Sequence, residues 1–168
     1  MPALREVVES LGHADVSTYI QSGNVLFTTR KKDRAKLAAE MERAIEKELA
    51  VSSRVVVLSR GDLEQVVADN PYPKEKNHKA VHAVFLTGKP EKELVERVKT
   101  VEQEVGAKGS RDSATFVDTT LYLHTPNGYG TSDLAKKVMQ FSRPRTVFTG
   151  TARNWATVMK LLELAAAD

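Results

Sequence analysis

Cysteine is absent from the sequence, tryptophan occurs once, and aromatic residues make up only 6% of it. The first absence excludes disulfides, thiolate nucleophiles and cysteine-ligated zinc, and it fits a reducing cytosol. Long apolar runs are missing too. The longest, such as Val55-Val56-Val57-Leu58, are of strand length, far short of the roughly 20 residues of a membrane span. Between Met1 and Leu11, Glu6 and Glu9 interrupt the place where a secretion signal carries an unbroken apolar core. A soluble, cytoplasmic protein is the expectation. Nor does one sign of charge dominate: 25 basic and 22 acidic side chains, mixed along the chain, give a net charge of +3. Such a balance permits an anionic partner without requiring one.

What is present is apolar material for a core, 41% of 168 residues, arranged in two passes of one pattern. Pro2 suits a first helical turn, Leu4, Val7, Val8 and Leu11 recur at helical spacing, and Gly12 stops the helix. Val16–Ile20 and Val25–Thr28 read as strands of a hairpin joined through Ser22-Gly23-Asn24. Asp33 can cap a helix with Leu37, Met41, Ile45 and Leu49 on one face. Arg54–Leu58 then reads as an apolar strand, and Asp62 opens a short helix that Asn70-Pro71 halts. Pro71–Lys79, polar and with two prolines, reads as a linker.

Beyond it, Val81–Thr87 is a predicted strand, and Leu94, Val98, Val101 and Val105 mark a helix ended by Gly106. Strands are predicted at Ala114–Val117, Leu121–Thr125 and Thr146–Thr149. Thr131 or Ser132 can cap the helix carrying Leu134, Ala135, Val138 and Met139, and a last helix carries Trp155, Val158, Leu161 and Leu162. The first half repeats this order from its second element onward, at a spacing of about 90 residues, which argues for two similar units.

The expected class is α+β: two tandem ferredoxin-like (α/β-plait) units, each an antiparallel sheet with helices on one face. Residues 1–70 form the first, 71–79 the linker and 80–168 the second. The second unit opens with a strand, whereas the first opens with a helix. In such a unit the opening strand is central to the sheet, so its absence leaves two neighbours without a ladder partner. Either the natural product starts upstream, or another segment fills the gap. The fold implies no function by itself.

Two stretches are distinctive, Thr18-Tyr19-Ile20-Gln21-Ser22-Gly23-Asn24-Val25 and Ala152-Arg153-Asn154-Trp155-Ala156-Thr157-Val158-Met159-Lys160-Leu161. Both resemble signature segments of an uncharacterised bacterial family, domain of unknown function 1697 (DUF1697), and the likeness runs along essentially the whole chain, including the break at Asn70-Pro71. The resemblance implies a pair of α/β-plait domains. Members of that family open with a strand and an arginine-glycine-rich loop, to which nothing in this sequence corresponds. The resemblance implies no catalytic residues.

Candidate sites follow from residue chemistry. Arg153, Asn154 and Thr157 lie where a strand turns into the last helix, and a helix start offers free N–H groups to an anion, with Arg143 and Arg145 as further charge. The competing account is structural: Thr151 or Asn154 caps the helix, Trp155 packs in the core, and Arg153 braces the two units. Asn127–Ser132 is glycine-rich but lacks the lysine and spacing of a Walker loop, and Gln21, Ser22 and Asn24 read first as turn chemistry, with side chains that a ligand could meet. His13, His78, His82 and His124 show no metal-ligand spacing, so neither a metal nor another cofactor is expected. His124 and Tyr122 alternate onto one side of a strand, and an open sheet face there could stack RNA bases. Carboxylates such as Glu40, Glu42, Glu46 and Glu48 read as solvated helix faces, and no catalytic constellation is visible. The leading expectation is a non-catalytic module binding an anionic small molecule in the cleft between the units. The alternatives are an RNA-binding plait protein, an enzyme with a site formed between the units, and a structural or assembly protein.

Overall fold

A computed structural model describes residues 1–141 and 150–167. The chain divides into two compact units, residues 1–59 and residues 60–166. The first begins with helix α1 (Pro2–Ser10), with proline in its first turn and Val7 and Val8 buried; Gly12, at φ +82°, lies just past its end. Strands β1 (Ala14–Tyr19) and β2 (Asn24–Thr28) form a two-stranded antiparallel hairpin. Helix α2 (Arg34–Leu49) follows, and the Asp33 carboxylate accepts the Lys36 N–H at 3.0 Å as its cap. Val7, Val8, Val16, Met41 and Ile45 form the core, with Val25, Phe27, Val55 and Val57 packed on it while still partly exposed.

The second unit comprises α3 (Arg60–Ala68), β3 (Val81–Leu86), α4 (Lys92–Ala107), β4 (Ser113–Val117), β5 (Thr120–His124), α5 (Asp133–Met139), β6 (Gly150–Asn154) and α6 (Trp155–Ala166). Its sheet has four strands in the order β4-β5-β3-β6, every neighbour antiparallel. The two middle strands, β3 and β5, are almost wholly buried. Leu94, Val98, Val101 and Val105 of α4, with Leu134 and Val138 of α5, pack against Val84, Leu86, Leu121 and Leu123 on one face. Ser132 Oγ accepts the Ala135 N–H at 2.9 Å and caps α5, as its position before the helix predicts.

The structure departs from the sequence expectation in four places. Helices do not keep to one face of this sheet. On the face opposite α4 and α5, the Tyr122 hydroxyl donates to the Val66 carbonyl of α3 at 2.8 Å, and Trp155 of α6 lies against the Tyr122 ring. The cause is alternation: Val81, Ala83, Phe85 and Tyr122 give the sheet a second apolar side, which has to be covered as well. The two compact units divide ahead of α3. Nor is 71–79 a free linker, since the Tyr72 hydroxyl hydrogen bonds to Ser113 and Thr115 of β4, and the His78 carbonyl accepts the Trp155 N–H at 3.2 Å. Gly106 lies inside α4, and a positive φ, +88°, occurs instead at Gly109.

The fourth departure is in the first unit. Arg54–Leu58, apolar enough for a strand, belongs to no ladder; the Val55 N–H donates to the Glu42 carboxylate at 2.9 Å. A strand requires a neighbour that supplies complementary N–H and C=O groups. In the second unit β6 has that neighbour in β3, and among the described residues of the first unit no strand lies in the corresponding place. The predicted strand Thr146–Thr149 falls outside the described residues; among those described, β6 pairs with β3 from Gly150 to Asn154.

Candidate functional site

The chemistry of the signature segment is set by the β3–β6 register, which places Arg153 opposite Ala83 and Asn154 opposite His82. Consecutive strand residues point to opposite faces, so Arg153 shares a side with Ala83 and Tyr122, while Asn154 shares one with His82 and Leu123. Asn154 Oδ1 accepts the Thr157 N–H at 2.8 Å, which makes Asn154 the cap of α6; Thr157 itself is buried. With the Trp155 N–H given to His78, two amides of the first helical turn already have protein acceptors. Trp155 is buried, as a core role requires. Arg153 Nη1 donates to Thr151 Oγ1 at 2.6 Å and to the Ala152 carbonyl at 2.8 Å. Burial pushes the pKa of this guanidinium below its usual value. Arg143 and Arg145 lie outside the described residues.

Because the strands alternate in direction, the start of β3, the start of β4, the end of β5 and the end of β6 meet at one end of the sheet. The glycine-rich stretch arrives there as well. Gly128 takes φ +107°, and Thr131 Oγ1 donates back to the Asn127 and Gly128 carbonyls at 3.1 and 3.2 Å. Ser132 also donates to Asp112 Oδ2 at 2.7 Å, so this stretch is a pinned connection rather than an open cradle. It delivers Tyr129 onto His82, with ring centroids 3.9 Å apart and planes 21° from parallel. Burial lowers the His82 pKa to about 4, so its imidazole is neutral at neutral pH. Its Nδ1 is buried and has no hydrogen-bond partner among the described residues.

On the opposite face of the same end, His124 Nε2 and Glu75 Oε2 are 2.8 Å apart, and the Tyr72 ring stacks on the imidazole at 4.9 Å between centroids. The hydrogen bond to His124, followed by the Asn77 backbone N–H, holds the Glu75 carboxyl below the usual range. This face is not the open platform expected for base stacking, because Tyr122 is only 1% exposed and its hydroxyl is engaged by α3. Sequence reasoning missed Tyr72 and Glu75, which sit in the stretch read as a linker. It also missed the pairing of His82 with Tyr129. The only local signal is an aromatic residue flanked by Gly128 and Gly130, shortly after a strand.

Gln21, Ser22 and Asn24 belong to the first unit, at the hairpin turn. Asn24 Nδ2 donates to the Tyr19 carbonyl at 3.1 Å and to Ser22 Oγ at 2.8 Å, closing the turn, while Gln21 and Ser22 are exposed. The neighbouring Ile20 is 50% exposed at φ +49°, a conformation β-branched residues rarely adopt.

The model of a family described as protein of unknown function matches residues 1–122 of the chain. Among curated proteins none matches. A solved structure, that of the conserved bacterial protein SP0830 from Streptococcus pneumoniae, is 21% identical in sequence and superposes with a TM-score of 0.68, covering 99% of this chain and 88% of that one. The likeness is one of fold. Among the described residues no helix is long and apolar enough to cross a membrane.

Proposed function

The chain belongs to the DUF1697 family, and we propose that it is a binding module whose ligand, a small anionic molecule, is taken at the polar end of the second unit's sheet. The observation that carries this is the β3–β6 register, which sets Arg153 at the end of β6 on the side of Ala83 and Tyr122, next in the chain to the cap residue Asn154. A guanidinium presents a planar fork of N–H donors that suits a pair of anionic oxygens through charge-assisted hydrogen bonds. Arg153 supplies the charge. Asn154 and Thr157 hold the helix start in place beside it rather than gripping the ligand themselves. Both units are taken as α/β plaits, the second with the strand order β4-β5-β3-β6 and the first without the counterpart of β3.

A catalytic reading draws on one observation, the carboxylate–imidazole pair Glu75–His124. Such a pair orients an imidazole for proton transfer when a substrate proton lies within reach.

Thermal melting of the protein with inorganic phosphate, mononucleotides and short RNAs tests the proposal, alongside Arg153→Gln. A rise in Tm with phosphate-bearing small molecules that is lost in the variant is the expected outcome. An unchanged Tm with every anion, or the same rise in the variant, rejects it. Stabilisation by RNA alone favours the nucleic-acid alternative.

A further inference from the structure

We propose that Ser113, His124 and Glu75 act as nucleophile, base and positioning carboxylate in the hydrolysis of small carboxylic esters, with the Tyr72 hydroxyl stabilising the charge that develops. The proposal rests on the catalytic reading of the Glu75–His124 pair and supplies its nucleophile and substrate class. All four residues lie in the second unit, brought together by the start of β4, the end of β5 and residues 71–79. In the β4–β5 ladder Ser113 stands directly opposite His124, so both side chains leave the sheet on one face, with Cβ atoms about 5 Å apart. Tyr72 spans the pair: its ring stacks on the imidazole at 4.9 Å, and its hydroxyl accepts the Ser113 proton at 3.1 Å. Thr115 Oγ1, on the same face two residues along β4, lies 3.0 Å from the same Tyr72 oxygen. Each of these side chains is half-buried, held by its neighbours and still reached by solvent.

The hydrogen bonds from His124 and the Asn77 N–H keep Glu75 ionised at neutral pH, and an ionised carboxylate only accepts. Nε2 of His124 therefore carries the proton, which leaves the lone pair of the neutral imidazole on Nδ1. That arrangement equips His124 as a general base. At rest the Ser113 proton is given to Tyr72; rotation about the serine side-chain bond turns it to Nδ1, a hydrogen bond that resting sites often make only once substrate is bound. Ser113 Oγ then bonds to the ester carbonyl carbon as its proton passes to His124. The carbonyl π pair moves onto oxygen, where the Tyr72 hydroxyl, freed of the Ser113 proton, donates to it. As the carbonyl re-forms, its bond to the alcohol oxygen breaks, and the leaving alkoxide takes the proton from His124. Water repeats the sequence on the acyl-serine, His124 returns the proton to Ser113 Oγ, and the carboxylic acid departs. Water is the only co-reactant.

The probe is a fluorophosphonate, which phosphonylates an activated serine with loss of fluoride, applied to the intact protein and located by peptide mass spectrometry. Hydrolysis of 4-nitrophenyl acetate is followed alongside. The expected result is a label on Ser113 of the wild type, with labelling and hydrolysis slowed about a hundredfold or more in His124→Gln and abolished in Ser113→Ala. Glu75→Gln, which keeps the shape and removes the charge, is expected to lower kcat far more than it moves KM, a split that simple loss of folded protein does not produce. A label scattered over exposed serines overturns the proposal. So does hydrolysis that survives in Ser113→Ala, is lost in His124→Gln and leaves Ser113 unlabelled: the imidazole then activates water directly, and the catalytic reading of the pair stands without this nucleophile. Neither label nor hydrolysis in the wild type removes both, whatever the anion-binding experiment returns.

Discussion

His82 shows how one buried side chain couples to pH. Burial lowers its pKa from 6.5 to about 4 in the folded protein, so between these values the unfolded chain binds the proton and the folded one does not. Stability is full above about pH 6.5 and falls as the pH drops toward 4, with no further loss from this group below that. His13, also depressed by burial and then by Lys31, adds a slope of the same sign. Urea unfolding of the wild type and of His82→Phe between pH 7 and pH 4 should therefore give a shallower decline for the variant; an equal slope would mean that His82 contributes nothing. The four histidines were plain in the sequence, as was their lack of metal spacing. Which of them is buried was not, because that depends on strand register: His82 stands opposite Leu123 and His124 opposite Val81, and so they face different neighbours.

Local chemistry made the helix starts legible. Asp33 caps where the sequence places it, and of the two candidates Thr131 and Ser132 it is Ser132 that caps α5, since a cap needs only a side-chain oxygen and an amide three residues away. Asn154 was one of two candidates and is the one used. Asn154→Ala should cost about 1 kcal/mol in chemical denaturation, with Asn154→Asp recovering most of it; a variant as stable as the wild type would show the cap to be idle. Strands were less legible. Arg54–Leu58 and Val81–Leu86 are both apolar runs, and only the second joins a ladder, because a strand exists by virtue of partners distant in the sequence.

At the scale of the molecule, the second unit runs β-α-β-β-α-β, an order that the alternation of apolar runs and helical spacings in the sequence made legible. What it did not reveal is that α3, α6 and residues 70–79 clothe the second face of that sheet. Pro71 and Pro73 made the stretch look like a spacer, while the contacts that tie it down, from Tyr72 to Ser113 and Thr115, span some forty residues of sequence. The polar end of the sheet was half visible for the same reason: Arg153 and Asn154 stood out, while Tyr129 stacked on His82 and Tyr72 stacked on His124 did not. The attachment of α3 rests in part on the Tyr122 hydroxyl, so Tyr122→Phe should lower stability by about 1 kcal/mol in urea titration. No change would indicate that Val66 finds another donor. The position of Trp155 has a practical corollary. It is the only tryptophan of the chain, and it is buried beside Tyr122 within residues 60–166. Its intrinsic fluorescence is therefore a built-in reporter for the second unit: red-shifted emission on denaturation would time the opening of that sheet, and the melting of the β1–β2 hairpin would have to be followed by another probe.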